Sequence, residues 1–175
     1  NKRYILSYYN RQGWQAHAFS INRGEPTTMN NRCPDCNELS WIAGIIDGEG
    51  SISVIRNTSS RYTFSLSLSI GMNARKTIQR IHDYFGVGSI YRTTDNRFVW
   101  CVRGKDAYNT LKSVKQHMFT KKEQAKYGIE FYERNMTFQG WNKTDSKRVP
   151  QAALDQREFF YGLLKSLHGG NNFEV

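Results

Sequence analysis

Trp41-Ile42-Ala43-Gly44-Ile45-Ile46-Asp47-Gly48-Glu49-Gly50 joins an apolar helical run, two glycines four residues apart and two closing carboxylates. Leu39, Ile42, Ala43, Ile45 and Ile46 predict a buried helix of one or two turns from Glu38 onward, stopped by Gly48 and Gly50. Gly44 and Gly48 fall on one face of that helix. With no Cβ there, a second helix can approach backbone to backbone. Only one such segment is present, so the partner helix is expected from a second copy across a two-fold axis. Ala43, Gly44, Asp47 and Gly48 are the expected interface of this homodimer. Asp47 and Glu49 stand at the negative end of the helix dipole, where a carboxylate calls for a cation. A hard divalent ion taking oxygens from Glu49, the Gly48 carbonyl and a substrate phosphate answers that need. The same residues also read as a buried helix ending in an acidic, glycine-rich turn.

Downstream the pattern alternates with period two. Ser51 to Arg56 predicts a strand with Ile52 and Val54 on one face, and Asn57 to Ser60 a turn. In the next strand Phe64, Leu66, Leu68, Ile70 and Met72 point one way; Thr63, Ser65, Ser67, Ser69 and Asn73 point the other. That alternation argues for an antiparallel sheet with one buried and one wet face. Residues 74–85 predict a helix ended by Gly86. Ser89 to Thr93 and Arg97 to Arg103 predict a hairpin around Thr94-Asp95-Asn96, whose second strand is apolar on both sides. Helices are predicted from Asp106 to Met118, from Lys121 to about Phe138, and after Pro150 through Leu154, Phe160 and Leu167. Residues 1–37, with Tyr4, Tyr8, Tyr9, Trp14 and Phe19 among polar residues, keep neither period and read as an irregular arm with room for one short hairpin.

The chain has 175 residues, 25 of them Lys or Arg against 15 Asp or Glu, for a formal charge of +10. A hydrophobic fraction of 38% excludes a disordered polymer. No run nears the roughly 20 apolar residues of a membrane span, so an intracellular protein is expected, with bacterial, archaeal and organellar settings left open. Basic residues interleaved with Tyr, Trp, Asn and Ser along the whole chain suit a polyphosphate surface. Cys33-Pro34-Asp35-Cys36 looks like half of a zinc knuckle, but a structural site needs four ligands and no second Cys pair exists. His82, His117 and His168 show no ligand spacing.

The ten-residue segment resembles the signature helix of the LAGLIDADG homing endonucleases. Gly86-Val87-Gly88 and Lys121 to Ala125 also fall where that family has counterparts, and the resemblance spans residues 38–138. It implies an α+β fold, αββαββα with a curved antiparallel DNA-binding sheet, to which this chain adds C-terminal helices. A single motif implies a homodimer. The resemblance makes Glu49 and the Gly48 carbonyl the ligands of a catalytic Mg²⁺, with Mn²⁺ able to substitute and Ca²⁺ binding without cleavage. Asp47 matches an acid whose usual role is structural. Lys121, with Lys122 as rival, matches a lysine that assists catalysis. Relatives often carry a Gln that positions water; Met72-Asn73-Ala74-Arg75 offers none, so Asn73, and after it Arg75, is the substitute.

The wet sheet face is then the expected reader of double-stranded DNA, through Ser53, Ile55, Asn57, Arg61, Thr63, Ser65, Ser67 and Ser69. Ser89, Tyr91, Arg92, Thr93, Arg97 and Arg103 continue it. A twisted ribbon fits the major groove, where Arg reads guanine and Asn adenine. The implied function is intron-encoded, site-specific cleavage of a long pseudo-palindromic target to short overhangs. The rivals are an RNA-binding splicing cofactor (a maturase, with intron RNA as partner) and a non-catalytic DNA-binding regulator on the same fold.

Overall fold

A computed structural model describes residues 4–10, 13–19, 34–56, 63–137 and 150–168. Cys33, Asn57 and Arg61, each singled out by the sequence, lie outside these residues. The chain divides into two compact units, Asn1–Pro34 and Asp35–Val175. In the first, β1 (Tyr4–Asn10) and β2 (Gly13–Phe19) form an antiparallel hairpin with Tyr4 opposite Phe19 and Asn10 opposite Gly13.

The helix α1, Pro34–Glu49, has every residue but its first in the second unit. It starts four residues ahead of the predicted start, because proline is pre-set for the first helical position. Then follow β3 (Gly50–Arg56), β4 (Phe64–Met72), α2 (Arg75–Phe85), β5 (Ser89–Arg92), β6 (Phe98–Arg103), α3 (Gly104–Val114), a 3₁₀ turn (Lys115–His117), α4 (Lys122–Thr137) and α5 (Gln151–His168). The predicted α-β-β-α-β-β order with C-terminal helices is the observed one. Among the described residues no helix is long and apolar enough to cross a membrane.

The four strands form one antiparallel sheet in the order β3-β4-β6-β5. Ile52, Val54, Phe64, Leu66, Leu68 and Ile70 are buried on one face, as the alternation requires. Burying each such side chain contributes about 1.5–3 kcal/mol. The register resolves β6, which the sequence left undecided. Ile70 opposes Trp100 and Leu68 opposes Val102, so Trp100 and Val102 join the core. Val99 and Cys101 take the other face.

Two glycines set the packing. Gly88, at φ 87°, lies where a Cβ would come within 2.5 Å of Val102 Cγ1, which brings the α2–β5 connection onto β6. Trp100 Nε1–H fastens that connection by donating to the Val87 carbonyl at 2.9 Å. At Gly128 a Cβ would stand 3.0 Å from Leu66 Cδ1, so α4 reaches the sheet closely. The helix predicted to run to Met118 instead stops at Val114 and tightens into the 3₁₀ turn. Such tightening is common at helix ends, and here it carries the chain back toward the end of α1.

Candidate metal centre and nucleic-acid interface

The amphipathic pattern of α1 leaves one side outward. Ile42, Ala43 and Ile46 are buried in the core, whereas Ser40, Gly44 and Gly48 are exposed at successive helical turns. Ala43 was expected at the interface between copies; at 0% exposure it belongs to the core of its own chain. Gly44 and Gly48 do face outward, and among the described residues a Cβ on either would meet nothing within 4 Å. The side is tied to the body by contacts the sequence did not announce. Arg80 of α2 donates Nε and Nη2 to the Glu38 carboxylate at 2.8 and 2.6 Å and covers the Trp41 ring at 4.5 Å. Ser40 Oγ lies 2.9 Å from His117 Nδ1.

Asp47, the second residue expected at the interface, turns inward instead. Its Oδ2 accepts the Phe119 backbone N–H at 2.7 Å and its Oδ1 the Lys121 N–H at 2.8 Å. The carboxylate therefore anchors the turn between the 3₁₀ segment and α4. Lys121 Nζ donates to the carbonyls of Ile46 at 3.1 Å, Gly48 at 3.3 Å and Gly50 at 2.7 Å. The cation demanded by the helix dipole is thus supplied from within the chain. Burial holds the Lys121 ammonium below the usual lysine range, opposed by the charges of Asp47 and Glu49.

Glu49 is exposed and makes no hydrogen bond or ion pair within the described residues. Beside it lie the backbone oxygens that already gather the Lys121 ammonium. Hard oxygen donors that collect a cation fit a divalent ion. One copy does not complete a cage: no three His, Cys, Asp or Glu side chains are grouped to hold a metal among the described residues. Ser51 opposes Ser69 and Gly50 opposes Ile70, so the end of β4 runs beside the α1–β3 junction. Asn73, exposed, follows that end on the alternation of Ser69 and Gly71. Arg75, also exposed, has its guanidinium 5.7 Å from the Phe98 ring centroid.

The sheet face away from the helices carries Ser53, Ile55, Ser65, Ser67, Ser69, Ser89, Tyr91 and Arg103 by register. Ile55 is 36% and Tyr91 49% exposed. Ser67 is not available to a ligand: at 3% exposure it is covered in mid-sheet, 3.8 Å from Cys101 Sγ. Arg92 is exposed. It opposes Phe98, one position out of step with Tyr91, and stacks on that ring at 5.7 Å. Thr93 and Arg97 serve the turn: Thr93 Oγ1–H donates to Asp95, and Arg97 Nε pairs with Asp95 Oδ2 at 2.6 Å. Ser89, Tyr91 and Arg103 line one depression of about 350 Å³ together with Asp106. The sequence reading passed over Phe119, 92% exposed beside the end of α1, because only the break between two helices marked its position.

No curated protein sequence matches the chain. Solved structures do. The homing endonuclease I-CvuI bound to the I-CreI target superposes with a TM-score of 0.65 at 17% identity, over 81% of this chain and 88% of that one. The archaeal intron-encoded homing endonuclease I-Vdi141I complexed with DNA gives 0.51 at 18% identity, over 78% and 99%. A double mutant of I-SmaMI gives 0.56 at 20% identity; 87% of this chain covers 50% of that one. At these identities the likeness establishes the fold. The sequence profile of LAGLIDADG endonucleases matches residues 42–133, and with its α1 signature and four-stranded sheet the chain belongs to the LAGLIDADG endonuclease family.

Proposed function

We propose that the protein is a homodimeric, divalent-metal-dependent endonuclease that cuts double-stranded DNA at one long, pseudo-palindromic site and is encoded within an intron. The observation that carries this reading is Glu49: an exposed carboxylate without a partner among the described residues, at the end of a helix whose outward side is bared by Gly44 and Gly48. Glycine inside a helix costs about 1 kcal/mol relative to alanine. Among the described residues nothing needs it at Gly44, where a Cβ meets no atom within 4 Å. A second α1 across a two-fold axis does need it, and would bring two Glu49 carboxylates together, one for each strand.

Glu49 and the Gly48 carbonyl would hold the metal, which when bound supplies an activated water and neutralises charge on the scissile phosphate. Glu49 orients that centre, and Asp47 fixes the turn that carries Lys121. The face with Ser53, Ser65, Ser69, Tyr91 and Arg103 lies along the groove and sets the register on the duplex. Solved complexes of I-CvuI include one with magnesium in which the DNA is not cleaved and one with calcium, in line with divalent ions at such sites. I-SmaMI, of which this chain covers half, accords with one copy of this fold being half of a working unit.

The test is a randomised duplex library, together with DNA carrying the intron-insertion junction of the gene's own locus. Sequence-specific double-strand cleavage is expected in Mg²⁺, and binding without cleavage in Ca²⁺. Glu49→Gln is expected to keep binding and lose cleavage; a Glu49→Gln protein that still cuts refutes the assignment.

A further inference from the structure

The three N–H donors of the Lys121 ammonium meet three carbonyls, at 3.1, 3.3 and 2.7 Å. An ammonium has only three donors, so in this state none remains for a substrate. One of the three carbonyls is that of Gly48, which the proposed function gives to a metal. We propose that Lys121 is a resident cation of the α1 terminus, which holds the Gly48 carbonyl while no metal is bound and releases it when a divalent ion binds Glu49 and Gly48. This rests on the metal reading above and deepens it.

Three features support an exchange rather than a permanent cap. The Gly48 contact is the longest of the three, so it is the one given up most easily, while Gly50 and Ile46 retain the side chain. Two cations on one carbonyl oxygen repel strongly in a partly desolvated site. Finally, α4 is not moored through the ammonium. Asp47 moors it through the backbone N–H groups of Phe119 and Lys121, so Nζ can let go without moving the turn. The freed donor would then be available to a phosphate oxygen, which makes Lys121 a cation that exchanges places with the metal.

The experiment titrates Mn²⁺ alone into the full chain and follows loss of the free-ion magnetic resonance signal, for wild type, Lys121→Met and Glu49→Gln. Coupling between two ligands is reciprocal, so removing the resident cation should tighten Mn²⁺ binding by about tenfold. A permanent cap predicts unchanged or weaker binding in Lys121→Met, and that result overturns the proposal. A second readout uses wild type alone, in case Lys121→Met does not fold. Acylation of Lys121 Nζ, followed by mass spectrometry, should speed up when Mn²⁺ is added; an unchanged rate is the contrary result. If Glu49→Gln abolishes Mn²⁺ uptake but Lys121→Met binds no tighter, only this inference fails. If Glu49→Gln leaves uptake unchanged, or no chain takes up Mn²⁺, the metal reading fails with it.

Discussion

Lys121 encloses Asp47: its backbone N–H reaches the Asp47 carboxylate at 2.8 Å, and its Nζ reaches the carbonyls of Ile46 and Gly48 on either side. Residues 74 positions apart in sequence are thus joined by main chain and side chain at once. The end of α1 and the start of α4 form one rigid corner, and Glu49 projects from it.

That corner has a measurable strength. Asp47→Ala removes the charged acceptor of two backbone N–H groups, and a hydrogen bond to a charged group contributes about 1.5–3 kcal/mol. Urea unfolding should show a loss of at least that size, with Asp47→Asn between the two because an amide keeps one acceptor oxygen. A stability within error of wild type would mean that the turn is held by other contacts.

Gly88 offers a test of the α2–β5 junction. Its φ of 87° is strained for any residue with a Cβ, and an added methyl would lie 2.5 Å from Val102 Cγ1 and 2.7 Å from the Cys101 carbonyl. Overpacking alone costs about 1–3 kcal/mol, and the positive φ adds to it. Gly88→Ala should therefore lower the melting temperature clearly, whereas Gly86→Ala, with nothing within 4 Å of a Cβ, should bear only the cost of its φ of 65°. Equal effects of the two substitutions would contradict the packing described.

Gly44 separates the fold of one chain from association of two. Because a Cβ there meets nothing within 4 Å among the described residues, Gly44→Leu should leave the circular dichroism spectrum unchanged. Across a two-fold axis the same side chain would hold two helices apart. Sedimentation should find two chains per particle for wild type and one for Gly44→Leu; a wild-type protein that sediments as one chain removes the dimer from the proposal.

Sequence periodicity carried most of the fold. The alternation in β4 named its buried face correctly from Phe64 to Ile70, since a strand with one apolar side has a single comfortable register. It could not orient β6, where Val99 to Val102 are apolar throughout; only pairing with β4 and β5 decides that strand. At the site, the type of residue was legible and its direction was not. Asp47 and Ala43 share the motif with Gly44 and Gly48, yet a helix turns about 100° per residue, and small differences in how α1 seats send both inward. The hairpin arginines show a related limit. Arg92 and Arg97 are exposed by composition, but Phe98 and Asp95 claim their charges locally.

That local claim separates the arginines in a binding experiment. Arg103 opposes Ser67 on the sheet face away from the helices, is exposed, and lines the depression shared with Ser89 and Tyr91. Arg97 is exposed as well but already paired with Asp95 at 2.6 Å. Each cation that replaces a counterion on duplex DNA contributes a slope of about 0.9 to the dependence of log affinity on log salt. Binding in Ca²⁺, measured across a salt series, should therefore lose close to one unit of slope in Arg103→Ala. It should stay near the wild-type slope in Arg97→Ala, because the Arg97 charge is neutralised before DNA arrives. The reverse order would place the duplex over the β5–β6 turn rather than along the sheet face away from the helices, and the set of residues proposed to read DNA would have to be rebuilt around that turn.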